Sequence, residues 1–380
     1  MTSSRRSFLR LTGTAIAATQ APPIASSWAG VFEPSRIDRS NGPILLNSNE
    51  NAYGPSARVA EAIQSACTVA NRYPYVRYGS LIEQIASTHH ITPENVLLGC
   101  GSTEILRVSA CAFLGHGKRL IQASPTFGAM ERYASATGAE VISVPLTRSF
   151  AHDLDGMLAR VNDQTSLVYI CNPNNPTASL TPRNDLEIFV KKLPASAFVI
   201  IDEAYHHYAS ASDMYASFID RRLDDERVIV VRTFSKVYGM AGLRLGYAVS
   251  ASGTVQRMGR FATEGSINAI VTQAASVALA DKDGIDDFVQ RNLNDRQEFF
   301  NQAMARALKP IDSHTNFVMM NTSHPADEII EHFRKNNVSI GRKFPPMETY
   351  IRVSLGRPEE MLAFWRVWDS LPYAKTGMMH

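Results

Sequence analysis

Seven apolar runs of strand length recur between residues 96 and 249, at 96–98, 120–123, 141–144, 167–170, 198–201, 228–231 and 247–249. Stretches of helical period lie between most of them, as at 104–114, 128–137 and 185–192. A strand that is apolar at every position must be covered on both faces. Such strands alternating with helices specify an α/β domain whose mainly parallel sheet is packed between helices. Upstream, Ser56 predicts the cap of a helix running to Asn71, with Ala60, Ile63, Ala66 and Cys67 on one stripe.

The pattern changes after residue 260. Helical stretches at 269–280 and 288–308 lead into strands at 317–320 and 350–353, and helices at 327–336 and 358–371 complete a smaller α+β unit. Two domains agree with a length of 380 residues, at roughly 150 residues per domain. The division expected is a segment at 1–29, an N-terminal arm at 30–55, a large domain at 56–260, a small domain at 261–372 and a tail at 373–380.

The chain has 38 Lys and Arg against 36 Asp and Glu, and Arg5, Arg6 and Arg10 fall in a first segment that holds no acid. Without those three, 35 basic residues face 36 acidic ones, so the body is electrically neutral. A nucleic-acid or anionic-membrane binder that relies on bulk charge is therefore not expected. Ser4-Arg5-Arg6-Ser7-Phe8-Leu9-Arg10 resembles the twin-arginine export signal of bacteria. The apolar stretch after it is too short to span a bilayer, and Ser27-Trp28-Ala29 offers the small residues a signal peptidase reads. Export to the periplasm is the expectation, with a cytoplasmic protein as the alternative. Cys67, Cys100, Cys111 and Cys171 form no CxxC pair, and the side chains of His89-His90 and His206-His207 diverge, so no metal is expected.

Chemistry gathers where the apolar runs end. Thr233-Phe234-Ser235-Lys236 follows the run at 228–231, and Arg244 comes eight residues after Lys236. A lysine at the C-terminal end of a parallel strand lies where α/β sheets place ligands. Its free amine, with a pKa near ~10.4, is a poor nucleophile, but as an imine to an aldehyde cofactor it becomes a covalent catalyst. Ser235 and Arg244 add a hydroxyl and a fixed positive charge suited to a phosphate, although an exposed turn would use the same residues. Asp202-Glu203-Ala204-Tyr205 closes the run at 198–201. Hiding an acid there is costly without a cation. A protonated pyridine nitrogen is one such partner, Tyr205 would reach the ring oxygen, and helix capping is the other use of such an aspartate. Asn172-Pro173-Asn174-Asn175-Pro176-Thr177 forms a turn in which Asn172 is either a donor to that oxygen or a turn former. Gly99-Cys100-Gly101-Ser102-Thr103-Glu104 leads into a helix whose N–H groups face an anion, although short glycine patterns are loose. Together these four strand ends supply the parts of a pyridoxal-phosphate site.

With these blocks in this order, the sequence resembles the fold-type I, class I/II pyridoxal-phosphate aminotransferases, and among them the histidinol-phosphate aminotransferase branch. Leu46-Asn47-Ser48-Asn49-Glu50-Asn51-Ala52-Tyr53-Gly54-Pro55, Asn71-Arg72-Tyr73-Pro74, Pro125-Thr126-Phe127 and Tyr350-Ile351-Arg352-Val353-Ser354-Leu355-Gly356 extend the resemblance over residues 42–372. It implies a large αβα domain that binds the cofactor and a small C-terminal domain. Lys236 would carry the cofactor as a Schiff base and act as general base. Asp202 would pair with the ring nitrogen, Asn172 and Tyr205 would hold the ring oxygen, and Phe127 would stack on the ring. Ser102, Thr103, Ser235 and Arg244 would bind the phosphate, with Tyr73 arriving from the other subunit of a homodimer. Arg352 would grip the substrate's anionic group, and Arg342, Asn51 and Tyr53 are further substrate-binding candidates.

The departures concern the substrate more than the cofactor. Ala52 replaces the usual proline, Ala178 the glycine after the asparagine–proline block, Thr103 an aspartate and Phe127 a tyrosine. The expected activity is transfer of an amino group from an anionic donor, histidinol phosphate or a related amino acid, to a 2-oxo acid such as 2-oxoglutarate. The alternatives are decarboxylation of an amino acid phosphate and non-catalytic binding of the cofactor. The export reading has its own test. Residues 1–35 fused to a reporter that folds in the cytoplasm should carry it to the periplasm, and Arg5→Lys with Arg6→Lys should stop transfer at unchanged charge. Export that survives the double change excludes the twin-arginine route.

Overall fold

The apolar runs between residues 96 and 249 assemble into one seven-stranded sheet in the computed structural model, which describes residues 42–223 and 225–372. The segment at 1–29 expected to be an export signal, the arm up to residue 41 and the tail at 373–380 lie outside the described residues. After a short β1 (Ile44–Leu46), the sheet takes β2 (Val96–Gly99), β3 (Arg119–Ser124), β4 (Glu140–Pro145), β5 (Thr165–Cys171), β6 (Phe198–Asp202), β7 (Val228–Thr233) and β8 (Gly246–Val249). Their order is β2-β8-β7-β6-β5-β3-β4. The strands from β4 to β7 in that order run parallel, and β8 is antiparallel to both of its neighbours. The sheet is the mostly parallel one that the alternation predicts.

Period two along the central strands divides the core. Val168, Ile170, Val199, Ile201 and Val230 face one apolar cluster. Leu167, Tyr169, Cys171, Ile200, Ile229 and Val231 face the other, against Ile105 and Leu106 of α3 (Ser102–Phe113, after α1 Ala57–Ala66 and α2 Tyr75–Thr88) and Met130 of α4 (Ala129–Ala136). Each fully buried aliphatic side chain of this kind contributes about 1.5–3 kcal/mol. The connections continue through α5 (Leu154–Leu158), α6 (Arg183–Lys192), α7 (His206–Ala209) and α8 (Ser252–Gly259).

Beyond them, α9 (Ala269–Ala280) and α10 (Lys282–Met304) lead to β9 (Lys309–Pro310), β10 (Phe317–Asn321), α11 (Ala326–Lys335), β11 (Val338–Ile340), β12 (Tyr350–Ser354) and α12 (Pro358–Asp369). The sheet β12-β10-β9 has its own core, with Phe299, Val318, Phe333, Phe364 and Trp365. β1 pairs in parallel with β11, from Ile44 opposite Val338 to Leu46 opposite Ile340. The sequence reading has neither strand.

Two helices differ from expectation. α1 stops at Ala66, and its buried face is Val59, Ala62 and Ala66, while Cys67 is exposed. The Thr68 hydroxyl donates to the Ser65 carbonyl at 2.9 Å, a local bond that competes with the next helical turn. α10 begins at Lys282 rather than 288, in a polar turn with no apolar stripe to announce it.

A charged pair lies inside the fold beside the end of β6. Arg232 Nε donates to Glu203 Oε2 at 2.9 Å, and both side chains are at most 5% exposed. The Ser217 hydroxyl and the Phe218 N–H also donate to Glu203, each at 2.7 Å, and Arg232 Nη2 donates to Ser217 Oγ at 2.8 Å. Burial is the largest single effect and works against the Arg232 charge, but Glu203 together with Tyr247, Tyr215 and Asp220 outweighs it and raises the pKa. Around the pair, His89, His206 and His207 share hydrogen bonds with Tyr247, Tyr215 and Tyr238. Burial first, and Arg232 second, push His89 down to about 4 and His207 to about 3. These histidines stay neutral. Among the described residues, no group of three His, Cys, Asp or Glu is placed to hold a metal, and no helix is long and apolar enough to cross a membrane.

Glu203→Gln keeps the shape but strands a buried guanidinium. It should cost about 3–5 kcal/mol of stability, read as a lower urea midpoint. Glu203→Leu with Arg232→Met should recover part of the loss, because the stranded charge is removed while the Ser217 hydroxyl and the Phe218 N–H still lose their acceptor. A Glu203→Gln midpoint equal to wild type would show that the pair does not hold the fold.

Candidate active site

The site begins with parallel register. Cys171 of β5, Asp202 of β6 and Val231 of β7 are paired at one level, so the residues after each strand emerge along one edge of the sheet. Glu203 N–H continues the ladder to the Val231 carbonyl at 2.9 Å, and Asn172 N–H to the Asp202 carbonyl at 3.0 Å.

At the β7–β8 end, Arg244 adopts a left-handed backbone with φ 62°. Its guanidinium donates to Ala241 O at 2.8 Å, Thr103 Oγ1 at 3.2 Å and Ser235 Oγ at 3.4 Å. Gly101, at φ +75°, lets this group pass the start of α3, since a Cβ there would lie 2.2 Å from Arg244 Nη2. Gly246 is equally constrained, because its Cβ would lie 2.4 Å from the Ser102 nitrogen. Hydroxyls, a guanidinium and the first turn of a twelve-residue helix thus meet in one place. That combination suits a phosphate.

The Asp202 carboxylate is 2% exposed. It accepts from the Tyr169 hydroxyl at 2.8 Å and from Ala204 N–H at 3.1 Å. Burial pushes its carboxyl up to about 6 against those two hydrogen bonds. The Tyr205 hydroxyl accepts from Asn49 Nδ2 at 3.0 Å and Asn175 Nδ2 at 3.3 Å, and the ring packs edge-on against Phe317. Lys236 Nζ donates to the carbonyls of Asn49 at 2.9 Å and Ser48 at 3.4 Å. Burial, then the charge of Arg352, and to a lesser degree Arg244, bring its amine down to about 8, against the pull of Glu50 and Asp202. An amine so placed is a usable base near neutral pH. Phe127 lies half-buried against the cluster that holds Tyr169 and Cys171.

Arg352 is 8% exposed. Its Nη1 donates to Asn175 Oδ1 at 2.6 Å and its Nη2 to Asn47 O at 2.7 Å, while its buried Nε has no hydrogen-bond partner among the described residues. Phe344 takes the Arg352 guanidinium at 4.7 Å and the Arg342 guanidinium at 4.3 Å from its centroid. Arg342 is exposed and donates to Lys343 O.

Four expected residues make other contacts within this chain. Asn172, read as a donor to the ring oxygen, has both ends of its amide engaged by Thr181, donating to its carbonyl at 3.0 Å and accepting from its N–H at 2.9 Å. Asn175 takes the place beside Tyr205 instead. Tyr53 donates to Asp295 at 2.9 Å, and Asn51 is spent on the Val237 carbonyl and the Tyr53 N–H. Tyr73 is 77% exposed and stacked on Tyr75 at 5.4 Å. Asn49, Asn175 and Tyr169 are the site residues that sequence reasoning missed, although Asn49 and Asn175 lay inside its quoted blocks.

These residues fit pyridoxal phosphate: an anion cradle, a buried carboxylate short of a cation, a phenol with amide donors and an amine of lowered basicity share one sheet edge. The family model for aminotransferase class I and II matches residues 41–364. The histidinol-phosphate aminotransferase of Staphylococcus carnosus is 34% identical over 315 residues, 83% of this chain and 87% of that protein. That of Moorella thermoacetica is 33% identical over 325 residues, 85% and 84% of the two. The crystal structure of histidinol-phosphate aminotransferase from Sinorhizobium meliloti in complex with pyridoxal-5'-phosphate has a TM-score of 0.81 at 26% identity, covering 95% of this chain and 99% of that one.

The two asparagines should separate in experiment. Asn175→Ala removes a partner of a charged arginine and should lower kcat/KM about 10- to 100-fold, well beyond any loss in a urea melt that Asn172→Ala would share. Asn172→Ala leaves the Thr181 main chain unpaired in the core and should cost about 1–3 kcal/mol in a urea melt. The reverse outcome would return the ring-oxygen role to Asn172.

Proposed function

The chain belongs to the aminotransferase class I and II family, and from that we propose that it moves the amino group of a donor carrying a phosphate or carboxylate, histidinol phosphate first among them, to a 2-oxo acid such as 2-oxoglutarate. It is a pyridoxal-phosphate-dependent aminotransferase. That activity stands over the decarboxylase and non-catalytic readings. The observation that carries the donor class is Arg352, a buried guanidinium with an unpaired Nε two positions before Ser354, the residue that bonds the Asn49 N–H at 2.8 Å.

Bound at this site, pyridoxal phosphate supplies the electron sink that allows a Cα hydrogen to leave as a proton. Ser102, Thr103, Ser235 and Arg244 would hold its phosphate. Asp202 would hold a proton on the ring nitrogen, and Tyr205 with Asn175 would orient the ring oxygen. Lys236 Nζ would take the proton from the donor's Cα, and its amine, brought down to about 8, is available for this. Arg352 fixes the donor by its anionic group, which sets the Cα–H toward the lysine.

Two further parts of the reading concern context. The working unit is a homodimer in which Tyr73 reaches the partner's phosphate, which accounts for a tyrosine left 77% exposed beside Tyr75 and Val76, exposed by 51% and 87%. The enzyme is exported through the twin-arginine signal at residues 1–29.

Borohydride reduction of the loaded protein should fix the cofactor on Lys236, and a label on another lysine would overturn the site. Arg352→Lys should cost about 2–5 kcal/mol in kcat/KM. Arg342→Lys should alter the preference between phosphorylated and plain donors. Equal losses for every donor would remove Arg342 from substrate reading, and strong activity with a plain amino acid beside weak activity with histidinol phosphate would move the donor assignment.

A further inference from the structure

Beneath Asp202, on the same face of the sheet, the side chain of Tyr169 is fully buried. The register sets Cys171 beside Asp202 and Tyr169 beside Ile200, so period two places all four on one face. The rest of that cluster is apolar, with Leu167, Ile200, Ile229 and Val231. A phenol hydroxyl there costs its desolvation unless it finds a partner. Phenylalanine would fill the same space without that cost. The hydroxyl does have a partner: it donates to Asp202 Oδ2 at 2.8 Å, while Ala204 N–H donates to Oδ1 at 3.1 Å. Each carboxylate oxygen is therefore held by one donor from within the protein.

We propose that Tyr169 is a positioning residue of the site, whose buried hydroxyl fixes the orientation of the Asp202 carboxylate and supplies a hydrogen bond that stabilises its charge toward the cofactor's ring nitrogen. The proposal rests on the aminotransferase reading and extends it by one residue. The titratable groups that face Asp202 are Tyr169 and Cys171 from β5, Glu203 and Tyr205 from its own segment, and Lys236 from the turn after β7. Burial raises the Asp202 carboxyl, and the Tyr169 hydrogen bond is the largest of the effects that hold it down, ahead of Ala204 N–H and Lys236, while Glu203 opposes them. Burial and the Asp202 charge keep the phenol itself far above its ordinary range, so it remains a donor at any working pH.

The test uses two substitutions of opposite sign in the full chain. Tyr169→Phe removes the donor, whereas 3-fluorotyrosine at the same position is nearly isosteric and a stronger donor. With the holoenzyme loaded with cofactor ¹⁵N-labelled at the ring nitrogen, the resonance should move toward the neutral pyridine position in Tyr169→Phe and away from it in the fluorotyrosine protein. In the cofactor-free chain, the Asp202 carboxyl, followed by ¹³C resonance against pH, should bind its proton about tenfold more tightly in Tyr169→Phe, and less tightly in the fluorotyrosine protein. A merely structural role would not give shifts of opposite sign. An Asp202 titration and a ring-nitrogen resonance unmoved in both proteins overturn the proposal. If Tyr169→Phe does not fold, the fluorotyrosine protein decides alone, by the same criterion. Failure of the wild-type chain to take up pyridoxal phosphate would instead count against the aminotransferase reading, and the carboxyl titration would still judge the link between Tyr169 and Asp202.

Discussion

Cys171, Asp202 and Val231 lie side by side on three parallel strands, and that single level of register decides where the reactive groups can be. Parallel strands all finish at the same edge, so the residues that follow them meet without any need for contacts in sequence. Asn175, Tyr205 and Lys236 arrive from three such endings. β8 runs the other way and begins where β7 ends, with Thr233 paired to Gly246 and Gly99 to the same glycine. Arg244 precedes that start and turns back over the N-terminus of α3, which places the anion cradle beside the lysine. A slip of one residue between β5 and β6 would turn Asp202 to the opposite face, away from Tyr169.

Two buried charges near this edge are handled in contrasting ways. Glu203 is matched by Arg232, by a serine hydroxyl and by a main-chain N–H, so its charge is satisfied within the protein. Asp202, its neighbour on the other face, has hydrogen bonds but, among the described residues, no arginine or lysine bonded to it. The difference is chemical. A structural ion pair must be complete to be tolerated in the core, whereas a group that works on a ligand keeps part of its stabilisation for that ligand. His89, His206 and His207 are depressed by burial first and by Arg232 second, and neutral imidazoles that share hydrogen bonds with tyrosines spare the region a second positive charge.

The sheet was legible because its strands are apolar at every position, and the cofactor residues because reactive side chains stand out after such strands. The choice between Asn172 and Asn175 was not legible. Both are asparagines in one proline-bracketed turn, and only the fold shows that Thr181, nine residues on, captures the first. Tyr169 reads as one more core residue until the register of β6 sets a carboxylate diagonally beside it. Tyr53 shows the same limit from the other side, since its partner Asp295 lies 242 residues away on α10. Asn49 was hidden for a local reason: its role needs a left-handed backbone, with φ 54°, which asparagine tolerates but does not announce.

That residue joins the parts of the site. Asn49 N–H donates to Ser354 of β12, its amide to Tyr205, and its carbonyl accepts from both Lys236 and Asn316. The arm that carries it is tied to β11 through β1 and to Arg352 through the Asn47 carbonyl. The arm thus ties the lysine's acceptor to Arg352 of β12. The electrostatics run along the same path. Arg352 is the largest charge effect lowering the Lys236 amine. On the function proposed above, an anionic donor held by Arg352 would offset that charge and make the lysine more basic as the Cα proton has to be taken up. A donor lacking the anion would leave the lysine the weaker base, so recognition at Arg352 would be linked to proton transfer at Lys236 through charge as well as through position.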